Sequence, residues 1–113
     1  MSIEVEIDLY SGRPNPRFTL PASAEFQRRL AALPAGMCQV REGLGYRGLR
    51  VAGTGIGSNE VVVSGGCVEI RDAAGGVTHR ADPGRAFERW LVEAGSGQVP
   101  PGDLDIVRDN LAH

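Results

Sequence analysis

Lysine is absent. All twelve basic side chains are arginine, set against fourteen acids and two histidines, so the formal net charge is −2. A chain without a basic excess has little with which to displace counterions from a phosphate backbone, which argues against a nucleic-acid partner. No apolar run approaches the roughly 18 residues that a membrane span needs, so no membrane partner is expected. The opening Met1-Ser2-Ile3-Glu4-Val5-Glu6 lacks the basic and apolar regions of an export signal. On that ground we expect a cytoplasmic protein. Metal-ligating residues are scarce too. Cys38, Cys67, His79 and His113 are all more than five positions apart, whereas metal sites draw on close pairs. No metal and no cofactor is therefore expected. In a reducing compartment Cys38 and Cys67 should be thiols that behave as small hydrophobes.

The exclusive use of arginine has two readings. A GC-rich genome favours arginine codons; alternatively, the chain requires planar, bidentate donors that lysine does not supply.

The 113 residues are 42% hydrophobic and 23% charged, an ordinary globular balance. The size scaling allows about 65% of the unfolded surface to be buried, enough for a core without metal or disulfide. We expect one domain over 1–113, with its core in 3–94 and a linker and short C-terminal helix in 95–113.

Ile3, Val5, Ile7 and Leu9 alternate with Glu4, Glu6, Asp8 and Tyr10, the period-two pattern of a strand with one wet face. Phe26, Leu30 and Leu33 share one face of a predicted helix that Ser23 would cap and Pro34 would end. Strands are predicted at Tyr46–Val51, Glu60–Ser64 and Cys67–Arg71, with a short one at Val77–Arg80. The dipeptide Gly65-Gly66 between two of them favours a primed hairpin turn. Asp82 and Pro83 mark the start of a second helix whose Phe87, Trp90, Leu91 and Ala94 form an apolar stripe. Asp103 could cap a last helix carrying Leu104, Val107 and Leu111. Helices do not alternate one-for-one with strands. The pattern therefore predicts a two-layer α+β domain, an antiparallel sheet of about four strands with two helices packed on one face.

Ser11-Gly12-Arg13-Pro14-Asn15-Pro16 is the densest stretch for chemistry. Two prolines stiffen it, Arg13 offers a charged fork and Asn15 can read a peptide backbone. Its structural reading is a stiff corner in which Arg13 pairs with an acid such as Asp8. Gly53-Thr54-Gly55-Ile56-Gly57 lacks the following helix that a phosphate-binding loop requires, and reads as a hairpin loop. Cys67 or Ser64 could meet His79 across a sheet, but in no recognisable nucleophile motif. Arg85, Glu88, Arg89 and Glu93 read as a solvated helix face, and Glu4, Glu6 and Asp8 as a solvated strand face.

The stretch Glu6–Pro16 with Phe18 and Leu20, then Gly45-Tyr46-Arg47-Gly48 and Asp82–Leu91, resembles a group of small uncharacterised proteins with an N-terminal Ser-Gly-Arg-Pro-Asn-Pro loop. The resemblance covers roughly residues 3–94. It implies a single domain, singles out the loop, and transfers no active site.

The expected function is a small soluble, non-catalytic binding or accessory module. Its site would comprise Ser11, Arg13, Asn15 and Arg47, and would hold a small anionic ligand or a peptide of a protein partner. The alternative is a small enzyme with Asp8 or His79 as acid–base group and Arg13 as substrate anchor; no catalytic residue is otherwise assigned. A homodimer through an uncovered sheet edge, at Val61–Val63 or Cys67–Ile70, is a third role.

Overall fold

The alternation at the N-terminus builds β1 (Ile3–Ile7), in which Ile3, Val5 and Ile7 are fully buried. The computed structural model describes residues 3–10, 14–21, 23–38, 46–53 and 60–112. Along them follow β2 (Arg17–Leu20), α1 (Ser23–Ala31), β3 (Leu49–Ala52), β4 (Glu60–Ser64), β5 (Cys67–Arg71), β6 (Val77–Ala81), α2 (Ala86–Ala94) and α3 (Pro101–Leu111). The six strands form one sheet in the order β2-β1-β3-β4-β5-β6, every neighbour antiparallel.

The α+β class stands, but six strands replace the four expected, and the last helix, expected from Asp103 on, is present as α3 and packs with the other two. β2 escapes notice because it is four residues long and follows two prolines. Yet Phe18 and Leu20 are buried while Arg17 and Thr19 are exposed, the same alternation in its shortest form.

Register aligns the aliphatics on one face: Val5 lies between Phe18 and Val51, Leu49 between Ile7 and Val63, and Val61 opposite Ile70. Phe26 and Leu30 of α1, Phe87, Leu91 and Val92 of α2, and Leu104, Val107 and Leu111 of α3 join them in one core. The core thus runs past residue 94, where the sequence suggested it would stop. The other face carries Glu4, Glu6, Arg17, Arg50, Glu60, Glu69, Arg71 and His79.

Two connections have a strict backbone requirement. Gly65 and Gly66 both have positive φ (60° and 91°), as the tight β4–β5 turn demands. At Gly48, with φ 112°, a Cβ would lie 2.3 Å from the Val63 carbonyl oxygen. There Asp8 N–H donates to Gly48 O while Arg47 N–H donates to Asp8 O, so two residues oppose one. This bulge turns the Arg47 side chain toward Asp8.

Three expectations are corrected. Helix α2 begins at Ala86, not at Pro83, because Gly84 and Arg85 both take positive φ. Asp82 still caps it from a distance, its carboxylate accepting the Phe87 and Glu88 N–H groups. The Val61–Val63 and Cys67–Ile70 hairpin is no edge, since β4 and β5 are each paired on both sides. Finally, Cys38 and Cys67 form a disulfide, with Cα atoms 5.7 Å apart. The cause lies in residues 34–36, which run along the outer side of β6. Ala81 N–H donates to Pro34 O and Gly36 N–H to His79 O. Ala81 faces Cys67 in the sheet, so Cys38 is carried to it. The cysteines therefore lend no support to a cytoplasmic setting. No described helix is long and apolar enough to cross a membrane.

Candidate functional site

The site follows from what β1 leaves behind. As the strand ends, the Leu9 and Tyr10 N–H groups lose their ladder partners, and the Asn15 side chain supplies one. Its Oδ1 accepts both, at 3.0 and 2.7 Å. Its Nδ2 donates to Glu6 Oε2 at 2.8 Å and reaches Asp8 Oδ1 at 3.5 Å. Asn15 does read a backbone, but it is its own chain's. Both lone pairs and both donors are committed to closing the loop.

Arg47 lies beside β1, as its strand's pairing requires. Nη2 donates to Asp8 Oδ1 at 2.7 Å and to Tyr10 O at 3.4 Å. Arg50 Nε adds a longer contact to Asp8 Oδ2, at 3.7 Å. Asp8 is thus held by two guanidinium groups and an amide. Ser11, Gly12 and Arg13 lie outside the described residues, as does the glycine-rich stretch between β3 and β4 from Thr54 on.

Tyr10 and α3 complete the corner. The Tyr10 hydroxyl donates to Asp103 Oδ1 in the first turn of α3. Between them opens a cavity of about 330 Å³, walled by Tyr10, Pro14, Asn15, Pro16, Pro100 and Asp103. Three of these walls are prolines, whose fixed φ leaves little conformational entropy to lose when something binds. Residues 11–13 connect Tyr10 to Pro14, two of its walls.

The polar sheet face carries a chain of ion pairs across the strands. Arg17 meets Glu6 at 3.3 Å, and Arg71 meets Glu60 at 2.9 Å and Glu69 at 2.5 Å. His79 Nε2 lies in hydrogen-bond contact with Glu69, at 3.2 Å. Burial pushes the Glu69 carboxyl up, but hydrogen bonds from Arg71 and His79 outweigh it and hold the group below the ordinary carboxylate range. A second, smaller cavity of about 180 Å³ on this face is lined by Glu4, Val5, Glu6, Arg17, Arg50, Ala52 and Glu60. His79 stands four strand spacings from β1, about 19 Å from the strand that Asp8 follows, so the two do not share a site. Neither cavity is lined by Asp8 or His79. Cys67 is bridged and carries no thiol, and His79 faces Glu69 rather than Cys67 or Ser64. Among the described residues, no three His, Cys, Asp or Glu side chains gather in a metal-holding arrangement.

Sequence reasoning missed a buried cluster on α2. Glu88 is completely inaccessible, not solvated, and Arg85 beside it is only 15% exposed. The Arg85 guanidinium grips both carboxylate oxygens, at 3.0 and 2.9 Å, and Gly65 N–H and Tyr46 Oη fill the remaining positions. The spacing i, i+3 was the available signal; burial of that face was not legible. Glu93 on the same helix stays exposed and pairs with Arg108 of α3, at 2.7 Å.

No protein-family model, curated protein or solved structure matches this chain.

Proposed function

We propose that this chain is a small non-catalytic binding module that holds a peptide segment of a partner protein at the corner between Tyr10, residues 14–16 and the start of α3. The observation that carries the reading is the cavity of about 330 Å³ with three prolines and the Asp103 carboxylate among its lining residues. Of the two ligand classes expected from the sequence, the lining favours the peptide. Among the described residues that line it, the charged one is Asp103, which repels an anion and attracts a basic side chain. Pro14, Asn15 and Pro16 of the loop that resembles the small uncharacterised proteins are among the lining residues. Arg13 stands within it in sequence, three residues from Tyr10.

The enzyme alternative needs Asp8 or His79 beside a substrate cavity. Asp8 is engaged by Arg47, Arg50 and Asn15, and His79 by Glu69, which favours binding over acid–base work.

The test is an NMR titration with two pooled octapeptide libraries, one with arginine fixed at its centre and one with glutamate, and with inorganic phosphate. The arginine library should shift the Asn15 side-chain amide and the Asp103 N–H, and Asp103→Asn should abolish the response. A response to phosphate or to the glutamate library at those same signals would sink the reading, as would silence toward all three.

A further inference from the structure

The sheet has two outer strands, and they are finished differently. Residues 34–36 lie along β6. β2 has no such neighbour among the described residues. Ile7 N–H donates to Pro16 O, which fixes the phase of the β1–β2 ladder. Val5–Phe18 and Ile3–Leu20 are then its hydrogen-bonded pairs, and Arg17 and Thr19 turn their peptide groups outward.

At Thr19 both outward groups are taken by one side chain. Gln98 Oε1 accepts Thr19 N–H at 3.1 Å, and Gln98 Nε2 donates to Thr19 O at 3.0 Å. A primary amide carries the same donor and acceptor as a peptide unit, so Gln98 stands where a residue of an added strand would stand. The loop that presents it is fixed closely against β2: a Cβ on Gly95 would come within 2.7 Å of the Phe18 ring.

We infer that the outer edge of β2 is a docking site for an extended segment of a partner protein, and that Gln98 holds its place in the free chain. Main-chain pairing supplies affinity in this mode and flanking pockets supply selectivity. The occupant is identified by continuity. Pro16, directly before β2, and Pro100, two residues after Gln98, both line the proline-walled cavity. A segment paired along Thr19 and Arg17 is therefore led toward it. Both Gln98 bonds are exposed to solvent, so water replaces them when the amide swings away. The inference deepens the peptide-binding reading and rests on it.

The probe is a phage-displayed library of random linear decapeptides, followed by synthetic copies of the enriched sequence with N-methyl groups at alternate backbone positions. Gln98→Ala should bind that peptide about tenfold more tightly than the parent chain, because two resident hydrogen bonds no longer compete. N-methylation in one of the two alternating phases should abolish binding, and the Arg17 and Thr19 amides should exchange slowly in the complex. Indifference to N-methylation in both phases overturns the inference, and so does failure of both proteins to enrich any peptide. A Gln98→Ala chain that dimerises without gaining peptide affinity overturns it in favour of a second copy as occupant. Asp103→Asn separates edge from cavity. If binding survives that change but not N-methylation, the edge stands and the cavity reading falls; the converse result overturns the edge alone.

Discussion

Glu88, wholly inside the protein, accepts a hydrogen bond from Tyr46 Oη at 2.5 Å, joining α2 to the residues just before β3. With Arg85 and Gly65 it forms one closed polar cluster. Burial first, and the neighbouring carboxylate second, push the Tyr46 phenol far above its ordinary value. A group that holds its proton more tightly when folded stabilises the fold fully below the unfolded pKa, near 10, and loses that contribution as pH rises above it. Stability should be insensitive to this group up to about pH 9, then fall by about 1.4 kcal/mol per pH unit above pH 10. In a spectrophotometric titration Tyr46 should ionise only as the protein unfolds. Tyr46→Phe should remove the alkaline slope and cost about 1–3 kcal/mol at neutral pH.

Glu88→Gln keeps the shape of the side chain and removes its charge. The Arg85 guanidinium, 15% exposed, then loses its counterion, and the left-handed backbone at Arg85 (φ 57°) loses the contact that holds it. Breaking a buried pair in this way costs about 3–5 kcal/mol. Urea unfolding followed by circular dichroism should show that loss. A change under 1 kcal/mol would mean that the pair adds nothing to the fold.

The Cys38–Cys67 bridge closes a 29-residue separation that includes β3 and β4. In the chain-entropy account, such a closure is worth about 3–4 kcal/mol. Reductant, or Cys38→Ser with Cys67→Ser, should lower the melting temperature by about 10–15 °C. An unchanged melting temperature would return the cysteines to the thiol state expected from their sequence setting.

Asn15→Asp retains an acceptor for the Leu9 and Tyr10 N–H groups but puts a carboxylate 2.8 Å from that of Glu6 and beside Asp8. The variant should be less stable than the parent by about 1–2 kcal/mol at pH 7, and the gap should narrow at pH 4 as the introduced carboxyl takes up a proton. Paired thermal melts at the two pH values read this directly.

Gly48→Ala puts a methyl group 2.3 Å from the Val63 carbonyl oxygen on a backbone with φ 112°. Both the clash and the conformation oppose it, at a cost of about 3 kcal/mol or more. Hydrogen exchange should show the loss first at the Asp8 and Arg47 amides, which the bulge bonds.

Legibility in the sequence follows the range of the interaction. The β1 alternation, the Gly65-Gly66 turn and the Phe87-to-Ala94 stripe depend on neighbours a few residues away, and each appears where its pattern points. β2 has a correct pattern too short to be distinctive. The disulfide depends on residues 34–36 tracking β6, a pairing that no local spacing records. Glu88 shows the same limit: its charged neighbours made α2's outer face look wet, although that position is sealed by Tyr46 and the β4–β5 turn. At the candidate site, the placement of Arg47 beside the first strand was readable. The Tyr10–Asp103 contact, 93 residues apart, and the Gln98 amide on Thr19 were not.

The strand order carries a kinetic consequence. β4, β5 and β6 pair in succession through short turns, so that meander can form from local encounters. Joining β1 to β3 must first close a loop that contains β2 and α1, and this non-local step bears the larger entropy cost. Folding should therefore be paced by β1 finding β3, with the 60–81 meander waiting as a template. Substitutions such as Val5→Ala and Val51→Ala should slow refolding, whereas Ile70→Ala at the far side should chiefly hasten unfolding.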